Sequence, residues 1–205
     1  MIKKIAPLAG MLGPLLFTLS FTINGFLRPG YDPMQRYISE LSLGPHGWIQ
    51  IASFLLLGVS FMLFVPALKV AFPTGKASRP AAVLFLIIAV CYFLSGPFVT
   101  DPVSMFDNQQ TIHGILHGIF GAIVFSLSAA SCFVLWRRFR IDEKWKPLST
   151  FTLIAGIVMA VLIVLMKIGQ LQTSIFRNWS GMIQRGCLIT FYAWIFIVSS
   201  KIRKM

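Results

Sequence analysis

"FLLLGVSFMLF", residues 54 to 64, decides the fold. Eleven residues pass without a charge, and the apolar ones do not alternate with polar ones. A transmembrane barrel strand alternates lipid-facing and lumen-facing residues, whereas a membrane helix is apolar throughout. "VLFLIIAVCYFL", residues 83 to 94, repeats the pattern. Around these two runs lies a chain of 205 residues that is 57% hydrophobic and 12% charged. An ordinary soluble domain is about 25% charged. So few charges cannot clothe so much apolar side chain in water, and a bilayer removes the need.

A bilayer core about 30 Å thick calls for roughly 20 apolar residues of helix. Six such runs are legible, at about Ile5–Phe26, Trp48–Val70, Pro80–Phe98, Thr111–Trp136, Leu148–Gln170 and Gly181–Ser200. They predict an all-α integral membrane protein, a six-transmembrane-helix bundle forming a single domain over residues 1–205. The N-terminal stretch has a basic start but a long apolar run and no small-x-small cleavage site, so it reads as a retained first span.

Basic residues orient the bundle. Lys3, Lys4, Lys69, Lys76, Arg79, Arg137, Arg138, Arg140, Lys144, Lys146, Lys201, Arg203 and Lys204 fall on the side of the termini, 13 of the 18 Lys and Arg. That side is expected to be cytoplasmic. The formal charge of +12 is then a topology signal, and no basic-aromatic interleaving points to nucleic acid. Cys91, Cys132 and Cys187 all lie inside spans, so no disulfide framework is expected.

Between spans one and two, "YDPMQRYISELSLGPHGW" predicts a short interfacial helix. Asp32 is placed as N-cap, Pro33 at the first helical position, Gln35 completes a capping-box-like pairing, and Gly44–Pro45 is a stop. The stripe Met34, Tyr37, Ile38 and Leu41 suits either the membrane interface or a lid over the bundle. "TDP" at Asp101 repeats the cap-then-proline device. Asp107 is expected to cap span four.

Polar chemistry gathers at the other side. Asp32, Glu40, Asp101 and Asp107, all three histidines, and Arg28, Arg36, Arg177 and Arg185 lie there, above spans that are apolar or small near their middles. Ionisable groups at membrane depth are costly and mark function. His113 and His117, at i and i+4, share a helix face. With Asp101 they would make a divalent-metal set, with Glu40 and His46 as further donors. As neutral imidazoles they would instead organise the bundle end. Gly114, Gly118 and Ala122 predict close approach of another helix. Arg185, one turn inside span six, needs an acceptor, and Glu40 and Asp101 are the expected partners. Ser39 beside Glu40 offers a nucleophile without a supporting motif. Glu40, Asp101, His117 and Arg185 are the candidate catalytic set.

Four segments taken in order, "YISELS", "TDP", "HGILH" and "GMIQR", resemble the prokaryotic membrane family called domain of unknown function 998 over nearly the whole chain. The resemblance implies a multi-span membrane protein and no agreed activity. By motif match it carries over Ser39, Glu40, Asp101, His117 and Arg185 as a polar set, with His113 a less secure member. The function expected is thus that of a polytopic membrane protein with a carboxylate/His/Arg site near the extracytoplasmic face, binding or modifying a lipid or lipid-linked head group. The alternatives are a sensor or assembly factor whose polar cluster is a structural lock, and a transporter.

Overall fold

The computed structural model describes residues 2–75, 77–102, 110–171 and 175–205. Six α-helices follow one another: α1 (Ile2–Leu27), α2 (Gly47–Ala71), α3 (Ser78–Leu94), α4 (Ile112–Phe139), α5 (Ser149–Gly169) and α6 (Ser180–Arg203). No strand occurs among the described residues. Five helical segments are long and apolar enough to cross a membrane: Ile5–Leu27, Gly47–Ala71, Ile112–Phe139, Lys146–Gly169 and Arg177–Arg203. The chain is a multi-pass membrane protein. α3 is the shorter apolar helix. Its apolar run continues to Phe98, but Gly96–Pro97 breaks the ladder, since proline lacks an N–H and disfavours helix in the residue before it.

The helices form a ring in which each packs on its neighbours in sequence and α6 closes against α1. Close approach is made possible by small residues: a Cβ on Gly58 would lie 2.6 Å from the backbone nitrogen of Phe93, so α2 and α3 meet almost backbone to backbone. Aromatic side chains fill the ring's centre. Phe61, Phe85, Phe191 and Trp194 are fully buried. Phe61 meets Phe85 edge-on at 6.1 Å, and Phe85 stacks on Phe191 at 5.9 Å. Aromatic pairs at such spacings add about 0.5–1.5 kcal/mol each beyond area burial.

At the end carrying both termini, Trp145 packs against Phe139 at 4.6 Å and Phe72 at 4.9 Å, with Lys201 over its indole face. Arg138 reaches Asp142 at 3.1 Å and the carbonyl of Thr74 at 2.8 Å. The opposite end is closed by the connection between α1 and α2. There the expected short helix is one turn over Pro33–Arg36 followed by a 3-10 turn, Ile38–Ser42. Asp32 does what its position predicts, accepting from Met34 N at 2.9 Å and Gln35 Nε2 at 2.8 Å. Tyr37 is extended, at φ −68° and ψ 150°, and this kink turns the apolar stripe inward. Ile38, Ser39, Glu40, Leu41 and Ser42 are all buried against the bundle, so the segment is a lid.

Candidate functional site

The polar residues at the lidded end fall into two constellations with a cavity between them. The first holds the lid. Arg185 projects from the first turns of α6 and is 8% exposed. Its Nη1 donates to the carbonyls of Pro33 (2.7 Å), Arg36 (3.0 Å) and Gly181 (3.0 Å), and its Nη2 donates to the Tyr31 hydroxyl at 2.5 Å. The Tyr31 hydroxyl donates onward to Tyr37 O at 3.0 Å. Gly181 makes this possible, because a Cβ there would collide with the Pro33 and Arg36 carbonyls. Two further bonds stitch the lid to α6, Met182 N to Met34 O (3.0 Å) and Ile38 N to Gln184 Oε1 (2.8 Å).

Arg185 thus satisfies its charge with backbone carbonyls and a phenol, and not by bonding the expected carboxylates. The lid brings several carbonyls within one fork's reach while Glu40 turns the other way. Glu40 Oε1 accepts from Tyr37 N at 3.0 Å and Oε2 pairs with Arg36 at 3.4 Å, while Arg28 donates to the Glu40 carbonyl. Burial pushes the Glu40 carboxyl above its usual value, against the Tyr37 N–H bond and the charges of Arg36, Arg28 and Arg185. Burial likewise raises the phenols of Tyr31 and Tyr37, opposed by Arg185 at the first and by bonds to Gln170 and Ser180 at the second.

The second constellation is the corner between α3 and α4. Asp101 accepts from Thr111 N and from Thr111 Oγ1, both at 2.8 Å. Thr111 is the N-cap of α4 and accepts from Gly114 N at 3.0 Å. The expected cap, Asp107, lies outside the described residues. Gly114 is small because the Asp101 carboxylate occupies the space a Cβ would take. His117 is buried, with Nδ1 2.7 Å from the carbonyl of Phe98 and its ring edge-on to Phe54. His113, one turn outward, is exposed and lies against the Phe98 ring. His46 is exposed at the start of α2. Among the described residues no three of His, Cys, Asp and Glu converge as a metal set.

Between the constellations lies a small cavity of about 50 Å³. The lid contributes Ile38 and Ser39 to its wall, α1 Phe17, α2 Phe54, α3 Tyr92 and Ser95, α4 His117, Gly121, Val124 and Phe125, and α6 Gln184 and Leu188. No charged side chain is among them. Ser39 and His117 are the candidates from sequence that the structure brings to one cavity; Glu40, Asp101 and Arg185 stand outside its lining. Ser95, Tyr92 and Gln184 were missed. Their signal was present: amide and hydroxyl groups within apolar runs are expensive at membrane depth even without a charge. Gln50 is a further case, fully buried on α2 with both amide atoms unpartnered among the described residues.

The small-residue stripe on α4 differs from expectation. Gly114 accommodates a carboxylate, Gly118 has nothing within 4 Å of the position its Cβ would take, and Ala122 is exposed. No helix packs tightly at Gly118.

Compared with known proteins, the chain matches a family described as protein of unknown function, DUF998, over residues 11–201, and it belongs to that family. No curated protein and no solved structure matches it.

Proposed function

We propose that this DUF998 member binds a lipid or lipid-linked molecule in the cavity beneath its α1–α2 lid. The observation that carries this reading is the composition of the cavity wall. Aromatic and aliphatic groups form most of it, while a few polar groups from the lid, α3, α4 and α6 converge at one place, the usual make-up of a small-molecule site. The ligand's polar head meets Ser39, Ser95, His117 and Gln184, and its apolar part meets Phe17, Phe54 and Phe125.

Arg185, Glu40 and Asp101 act here as positioning residues. Arg185 and Glu40 hold the lid, and Asp101 sets the start of α4 and hence His117. The packed rings of Phe61, Phe85 and Phe191 fill the axis below the cavity, which favours a binding protein over a transporter. In this reading all six helices cross a prokaryotic cell membrane as one domain, both termini are cytoplasmic, the lid is extracytoplasmic, and no nucleic acid is bound.

The test is native mass spectrometry of the purified protein. The wild type retains a lipid adduct, and Gly121→Leu, which projects a side chain into open space at the cavity wall, loses it at unchanged melting temperature. A wild type free of any adduct, or an adduct that survives Gly121→Leu, overturns the reading. Topology is checked by labelling intact cells with an impermeant maleimide: Ile175→Cys reacts and Lys144→Cys does not.

A further inference from the structure

α4 meets α5 closely at one end and is open at the other. Toward the termini, a Cβ on Gly156 of α5 would lie 3.1 Å from Cys132 Cβ and 3.2 Å from the Phe133 ring. Gly118 sits fourteen residues nearer the lid on the same side of α4, to within about 40° at 100° per residue. Nothing lies within 4 Å of its Cβ position, nor of that of Gly121. The outer half of α5 meets α6, where Leu162 lies 3.5 Å from the Cβ position of Gly186. A cleft therefore opens between the outer halves of α4 and α5. Gly118 is exposed in it, and Gly121, one turn further in, is part of the cavity wall. Apolar side chains on these two helices face outward at the same depth, among them Ile115, Ile119, Val161 and Val164.

A second observation points to what enters. Ser39 is nine-tenths buried and forms part of the cavity wall. Gln184, also in the wall, accepts from Ile38 N through its amide oxygen. These are uncharged groups. No charged side chain lines the cavity; of the cations at this end, Arg185 is engaged by lid carbonyls and Tyr31, Arg36 by Glu40, Arg28 by the Glu40 carbonyl and Lys167 by Gln170. A phosphate head would find no counter-charge on the cavity wall. A hydroxyl head would not.

Resting on the lipid-binding reading above, we propose that the α4–α5 cleft is a lateral portal, and that its occupant is the hydrocarbon chain of a lipid with an uncharged, hydroxyl-bearing head. The head enters the cavity beside Ser39 and Gln184. The cavity is too small for a whole lipid, so the chain runs out past Gly121 and Gly118 into the bilayer.

The probe is a monoacylglycerol carrying a diazirine in its chain, photolysed with the full-length protein in phosphatidylcholine vesicles. The wild type is expected to be labelled on the facing halves of α4 and α5. Gly118→Trp, which fills the cleft without meeting a neighbour, lowers labelling at least tenfold at unchanged melting temperature. Leu86→Trp, on an exposed position of α3, leaves labelling as it was. If tryptophan lowers the melting temperature, Gly118→Leu is read in its place. Undiminished labelling in the cleft variant, or an equal loss in Leu86→Trp, overturns the portal. If labelling is lost in Gly121→Leu but kept in Gly118→Trp, the cavity stands and the portal falls. A wild type that is not labelled overturns both. A lysophosphatidic acid probe that labels as well as the neutral one overturns the assignment of an uncharged head.

Discussion

The two ends of the bundle solve the same problem with opposite chemistry. At the end carrying the termini, loops are anchored by Trp145, stacked on Phe139 and tilted against Phe72, and by ion pairs between residues near in sequence, Arg138 with Asp142 and Lys146 with Glu143. Of these pairs Lys146–Glu143 is exposed and Arg138–Asp142 is partly buried, and both are made within one turn of chain. At the lidded end, a buried guanidinium on α6 gathers carbonyls from a loop some 150 residues earlier in the chain. Surface charge settles which side of a membrane an end prefers. Buried charge settles which distant segments must meet. The lidded end is the costlier construction, and a cavity lies beneath its lid.

Replacing Arg185 tests this contrast most severely. Arg185→Ala leaves the Pro33 carbonyl without this donor and removes one from the Arg36 and Gly181 carbonyls and the Tyr31 hydroxyl. Hydrogen bonds to a charged group contribute about 1.5–3 kcal/mol each, though one nitrogen shared among three carbonyls delivers less than three times that. A loss of at least about 3 kcal/mol is expected, read as a collapse of melting temperature and as protease cleavage within residues 28–46. Arg185→Lys recovers only part, because an ammonium lacks the fork that reaches carbonyls and phenol together. Unchanged protease resistance in Arg185→Ala would refute the lock.

The next effect lies at the other end. Trp145→Ala should cost about 3 kcal/mol through the cavity it leaves, while lipid adduct formation persists in the protein that remains folded. Equal loss of adduct in Trp145→Ala and Gly121→Leu would erase the distinction between the two ends.

Asp101→Ala removes the acceptor for Thr111 N and Oγ1, a cap-scale loss of about 1 kcal/mol. Because Asp101 fixes the turn that precedes His117, hydrogen exchange at the start of α4 should quicken while that in α6 stays constant.

The smallest effect concerns pH. The folded carboxyl of Glu40 titrates above its unfolded value, so the native lid binds a proton where the unfolded chain has released one. Stability from this group is present below the unfolded value and is lost as pH rises through the raised folded one. Protease cleavage of the lid should therefore quicken as pH rises across the mildly acidic range. Glu40→Gln, which keeps an oxygen for Tyr37 N, should flatten that dependence. A slope that survives in Glu40→Gln belongs to another group.

How much of this was legible in the sequence depended on the range of the cause. Runs of apolar residues at helical length gave the six helices, since the signal lies within each segment. Asp32 with Gln35 marked a real cap because its partners are two and three residues away. Even a break was local, for Gly96–Pro97 ended α3 short of Phe98. Signals that reached across segments were misread. Arg185 called for an acceptor, and opposite charges were the natural candidates. Backbone carbonyls are acceptors too, but no sequence pattern tells which of them a fold will bring to one point. The stripe Gly114, Gly118 and Ala122 has the spacing of a packing face, yet whether a neighbour arrives there depends on where α5 leans.

The chain by itself therefore determined that it lives in a bilayer, that it crosses as helices, and that its costly polar groups collect at one end, because composition and periodicity are properties of contiguous residues. Tertiary structure alone decided that the loop after α1 folds inward as a lid, that Ser39 and His117 share a cavity while Glu40, Asp101 and Arg185 stand outside its wall, and that no neighbour reaches α4 at Gly118. Those outcomes depend on the relative placement of helices, which is set by the sum of many weak contacts and is written in no single segment.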